Sequence, residues 1–138
     1  MTIIGHGLTK INVERKGQLG KEDKVENNIK IISIESSKIK IDNKESEGLN
    51  VLFEFTVDYG NAGIVELKGF VIYQDSKEKI TEILNKWEKE KKFVDEFGTM
   101  VYNFIIKRAS IKSIQLEDDV NLPLHIVFPR VEIKQKTN

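Results

Sequence analysis

The chain has no cysteine, which rules out disulfides, thiolate metal sites and cysteine nucleophiles. It has no excess of either charge, since 22 lysines and arginines stand against 22 aspartates and glutamates. A protein that neutralises many phosphates needs a basic footprint, so nucleic acid is not an expected partner. No apolar run is long enough to span a bilayer, and the opening MTIIGHGLTK lacks both the basic region and the apolar stretch of a signal peptide. A cytoplasmic location is the default expectation. Proline is nearly missing: Pro123 and Pro129 are its two copies, and both fall in NLPLHIVFPRVEI at 121–133.

What is present is enough for one core. With 138 residues, 39% hydrophobic and 32% charged, the chain reads as a single domain over 1–138, with loose ends at 1–7 and 134–138. Leu8, Ile11 and Val13 mark a short first strand, and the polar stretch RKGQLGKEDKVENN at 15–28 reads as a mobile loop. From Ile29 the apolar residues alternate, but Ile29 and Ile31 are out of phase with Ile32 and Ile34, which places a bulge near Ile31. DNKESEG at 42–48 is expected to turn the chain. The strictest alternation follows, Leu49, Val51, Phe53, Phe55, Val57 and Tyr59, then GNAG at 60–63 as a hairpin turn and a return strand from Ile64 to Tyr73.

After Tyr73 the period changes. Asp75 or Ser76 can cap a helix whose apolar stripe is Ile80, Ile83, Leu84 and Trp87. A second helix, from near residue 94 or 95 to about Leu116, carries Phe97, Val101, Phe104 and Ile105, and Glu117-Asp118-Asp119 is expected to end it. Strands followed by helices predict an α+β fold: a four-stranded antiparallel sheet with both helices on one face.

Chemical motifs are scarce. His6, between two glycines, reads as part of a loose end, and His125 has no second histidine at ligand spacing, so no metal site is expected. Gly17 and Gly20 lack the lysine and hydroxyl residue of a phosphate-binding loop, and no serine sits in a nucleophile-elbow context. Neither a cofactor nor an enzymatic activity is expected. The notable surplus is apolar: two broad helical stripes and a strand that is apolar on both faces at Phe70 and Ile72 exceed what one small sheet covers, which points to self-association.

The ordered series of strand 49–59, the hairpin into 64–73 with AGIVELKGF, a helix, a second helix over 97–116, and the proline-bounded NLPLHIVFP resembles the SecB family of export chaperones. That resemblance implies an ATP-independent holdase that binds unfolded or newly made polypeptides along an apolar groove, working as a dimer or dimer of dimers. It also implies that the proline-bounded tail folds back beside the second helix. On this reading Phe97, Met100, Phe104, Leu124, Ile126 and Phe128 are the expected peptide contacts, and Leu8, Ile11, Val13, Ile83 and Trp87 the expected subunit contacts. Glu54, Asp58 and Glu66 form a candidate acidic docking face for a delivery partner. The alternative is a non-catalytic domain dedicated to one protein partner, for example an antitoxin.

Overall fold

The structure is a computed structural model that describes residues 2–20, 23–91, 95–129 and 131. Four strands, β1 (Thr2–Arg15), β2 (Glu26–Ile41), β3 (Lys44–Asp58) and β4 (Gly63–Gln74), precede two helices, α1 (Lys77–Glu90) and α2 (Glu96–Asp119). The sheet is antiparallel in the order β1-β4-β3-β2, so the first strand closes one edge and the second forms the other. This is the α+β architecture expected from the sequence.

The alternation on β3 and β4 decides which face is covered. Leu49, Val51, Val57, Val65, Leu67 and Val71 have no exposed surface, while Leu52, Glu54, Phe70 and Ile72 between them are half-buried on the opposite face. Burying a side chain of this size contributes roughly 1.5–3 kcal/mol, so the period-two pattern fixes the sheet's orientation. Both helices lie on the buried face. α1 packs over β2 and β3 through Ile80 and Ile83, and α2 lies over β4, its Phe97 ring 4.7 Å from that of Tyr73. α1 starts where Ser76 accepts a hydrogen bond from the Lys79 N–H, and α2 where Asp95 accepts one from the Gly98 N–H.

Turns and bulges explain most departures from the sequence reading. The expected bulge is present, with the register shifting between Ile31 and Ser33. The turn before β3 is shorter than 42–48: Asp42 and Asn43 alone adopt positive φ, the signature of a two-residue hairpin turn, and pairing resumes with Ile41 opposite Lys44. β1 begins at Thr2, so residues 2–7 are not a loose end; Met1 and 134–138 lie outside the described residues. Gly5 and Gly7 hid this stretch of strand. They sit opposite Ile72 and Phe70, whose side chains lie over them so closely that a Cβ on Gly7 would be 2.9 Å from the Phe70 ring. The alternation is carried there by the partner strand. Nor does α2 stop at Leu116, because Glu117 turns inward and the helix runs on to Asp119.

Candidate functional site

The helices cover the β2 edge of the sheet through α1 but leave the β1 edge largely open. β1 presents His6, Leu8, Ile11 and Val13 on the same face as the covered residues of β4, opposite Val71, Gly69, Leu67 and Val65. Yet Leu8 is 37% and Ile11 50% exposed, whereas Val71 and Leu67 are sealed. A trough therefore runs between β1 and α2, with a cavity of about 150 Å³ at its His6–Leu8 end. Leu8, Phe53 and Val71 line it from the sheet, and Phe104, Ile105 and Ile111 from α2. Arg108, Lys112 and Gln115 add polar groups from successive turns of α2, and His6 adds one from β1. The Phe104 ring is held on two sides, with the His6 ring centroid at 5.1 Å and the Arg108 guanidinium at 5.6 Å.

A second feature lies at the far end of α2. Phe97, Val101, Ile105, Ala109, Ser113 and Glu117, each four residues from the last, form the buried stripe of the helix. The Glu117 side chain is fully buried and the His125 ring is 1% exposed. His125 Nδ1 lies 2.9 and 2.8 Å from the two carboxylate oxygens, and its backbone N–H donates to Oε1 at 3.1 Å. With two acceptors facing Nδ1, the ring hydrogen is assigned there. Nε2 is buried without a hydrogen-bond partner among the described residues, and the ring packs edge-on to Phe55 at 6.0 Å. The Tyr59 hydroxyl donates to the Pro123 carbonyl at 2.5 Å, and Leu122 is buried. The segment after α2 is thus folded back over β3. Arg15 of β1 also donates to the Val120 carbonyl at the negative end of the helix.

Burial raises the Tyr59 phenol well above its ordinary value, and the Glu117 carboxylate beside it adds to the effect. Tyr73 is raised in the same direction, first by burial and then by its hydrogen bond to Asp75 at 2.5 Å. That phenol donor in turn holds the Asp75 carboxyl below its usual value. A raised folded-state value means that the native protein keeps protons which the unfolded chain loses above about pH 10. The stability these phenols contribute is complete below that pH and declines above it. At about pH 11 the tyrosinate absorbance of Tyr59 and Tyr73 should be absent from the native protein and appear only on unfolding. Absorbance and circular dichroism recorded in one alkaline titration check this, and early ionisation in a still-folded protein contradicts it.

The residues expected to contact peptide do not form one site. Phe104 lines the trough. Phe97, 4% exposed, is a core residue against Tyr73, and Met100 is half-buried against the same core. Leu124, Ile126 and Phe128 are exposed, but they belong to the folded-back segment on the β3 side. Of the expected subunit contacts, Ile83 is in the core, Val13 and Trp87 pack partly against it, and Leu8 and Ile11 flank the trough. The acidic trio faces away from the helices, and each member is engaged: Glu54 with Lys68 at 3.9 Å, Glu66 with Lys10 at 3.3 Å, and Asp58 with the Gly60 N–H at 2.8 Å.

The Glu117–His125 pair carries no motif in the sequence, although Glu117 continues the four-residue spacing of the buried stripe. Among the described residues, no three His, Asp or Glu side chains are grouped to hold a metal ion, and no helix is long and apolar enough to cross a membrane.

No family model and no curated protein matches the sequence. Among solved structures, the chain is similar to a SecB-like chaperone of Mycobacterium tuberculosis in complex with a ChAD peptide from the HigA1 antitoxin. The identity is 8%, with 99% of this chain and 92% of that chain covered and a TM-score of 0.49.

Proposed function

We propose that this protein is an ATP-independent holdase that keeps extended, non-native polypeptide segments in the trough between β1 and α2. The observation that carries this reading is the exposure of Leu8 and Ile11 on the core-facing side of an edge strand, at 37% and 50%, beside the apolar wall of α2. A protein that binds unfolded chains needs apolar contact along a line and access from the side, and an edge trough offers both. From His6 to Val13 the strand spans about 23 Å, enough for roughly seven extended residues. Lysines and glutamates elsewhere on the surface keep a loaded complex soluble. Leu124, Ile126 and Phe128 form a second apolar strip available to the same client, and a dimer or dimer of dimers is the expected working state.

Light scattering of a chemically denatured, aggregation-prone client tests the proposal. Near-stoichiometric protein should suppress aggregation of several unrelated clients without nucleotide. The pair Leu8→Ser and Ile11→Ser should lose most of that suppression while shifting stability only by about 0.5 kcal/mol, because both positions are exposed. Native mass measurement of the same samples gives the number of copies. Suppression that survives both substitutions sinks the trough as the site; suppression confined to a single protein favours a dedicated partner.

A further inference from the structure

We infer that the trough selects client segments in which one large apolar residue is flanked by acidic ones; this rests on the holdase reading above and narrows its clients. The chain as a whole is neutral, but the walls of the trough are not. Over 97–116, α2 carries Lys107, Arg108 and Lys112 and no acidic residue. None of the residues lining the cavity is a carboxylate. The one acidic residue of β1, Glu14, lies near its far end within 3.9 Å of Lys16, and Lys10 is paired with Glu66 on the opposite face. Among the described residues Arg108 and Lys112 have no ion-pair partner; Arg108 rests on the Phe104 ring.

The spacing adds to the charge. Arg108 and Lys112 are four residues apart on one helix, about 6 Å along its axis. Side chains i and i+2 of an extended chain point the same way, about 6.6 Å apart, while i+1 points to the other side. An acidic–apolar–acidic triplet running along α2 therefore sets two carboxylates at the two cations and sends the central side chain toward the sheet. The cavity of about 150 Å³ suits that residue, since an apolar hole of this size takes about one benzene ring. A guanidinium stacked on an aromatic ring keeps its N–H edge free for a carboxylate, so the contact with Phe104 orients Arg108 and does not use it up.

The test is fluorescence anisotropy of the full chain with three labelled, unstructured peptides that differ only in a central Glu-Phe-Glu, Ser-Phe-Ser or Lys-Phe-Lys. At low salt the acidic peptide should bind about tenfold more tightly than the serine peptide, and the lysine peptide more weakly than either. That advantage should shrink with added salt, and the double variant R108E/K112E should reverse the order. Equal binding of all three peptides, or an order untouched by both salt and the double variant, overturns the acidic preference and leaves the holdase reading standing. Failure of every peptide to bind overturns both.

Discussion

Replacing His125 with alanine is expected to cost about 1–3 kcal/mol of folding stability, the range for leaving a buried polar group without its hydrogen-bond partner. The reason is the carboxylate left behind. Glu117 has no exposed surface, and His125 supplies the Nδ1 hydrogen at 2.8–2.9 Å and a backbone N–H at 3.1 Å. Alanine preserves the backbone donor and removes the ring, so a fully buried carboxyl group loses its Nδ1 partner. Removing both partners, by Glu117→Leu together with His125→Leu, should cost much less than the two single changes combined, because no polar group is then left unpaired. Urea unfolding of the wild type, both single variants and the double variant closes the cycle. A loss under about 1 kcal/mol for His125→Ala would show that the tail docks without this pair. The consequence reaches the surface, since Leu122 and Pro123 are anchored by the same cluster and position the exposed Leu124, Ile126 and Phe128.

Gly69→Ala is the second substitution with a large expected effect. A Cβ at Gly69 would lie 2.3 Å from the Gly7 carbonyl oxygen and 2.9 Å from the Phe53 ring. The oxygen is backbone in the neighbouring strand, so it moves only if β1 moves. The cost of such overpacking is about 1–3 kcal/mol, which should lower the thermal midpoint by several degrees. Because Gly69 faces Leu8 across the β1–β4 ladder, the displacement falls on the floor of the trough. Client affinity should therefore drop along with stability. Gly17→Ala is the control: its nearest neighbour is the Asn61 carbonyl at 3.8 Å, an ordinary contact. An unchanged melting curve for Gly69→Ala would mean that the ladder yields at this point without loss.

What could be read from the sequence follows from how much each pattern depends on distant partners. The alternation over Leu49–Tyr59 and the 80, 83, 84, 87 spacing of α1 are local signals; α1 forms where its spacing predicts, and β3 carries the alternation to Asp58 but starts earlier, at Lys44. β1 looks shorter in sequence than it is because Gly5 and Gly7 contribute no side chain; the residues that cover them, Phe70 and Ile72, lie more than sixty positions away. Glu117 looks like a helix breaker in sequence because an acidic triplet is normally solvated. Its burial depends on His125, eight residues on, and on the tail folding back over β3. The trough shows the same limit. Leu8 and Ile11 look like core residues in sequence, and they are exposed because α2 lies mainly over β4 and leaves the β1 edge largely open.

The order β1-β4-β3-β2 also governs assembly in time. The hairpins β2–β3 and β3–β4 join neighbours along the chain, whereas β1 must wait for a partner whose nearest paired residue, Gly63, comes 48 positions after Arg15. Closing so long a loop is the slow, entropically costly step in such a topology. During synthesis the first strand emerges before anything exists for it to pair with, so the nascent chain carries an unpaired, isoleucine-rich edge until β4 has been made.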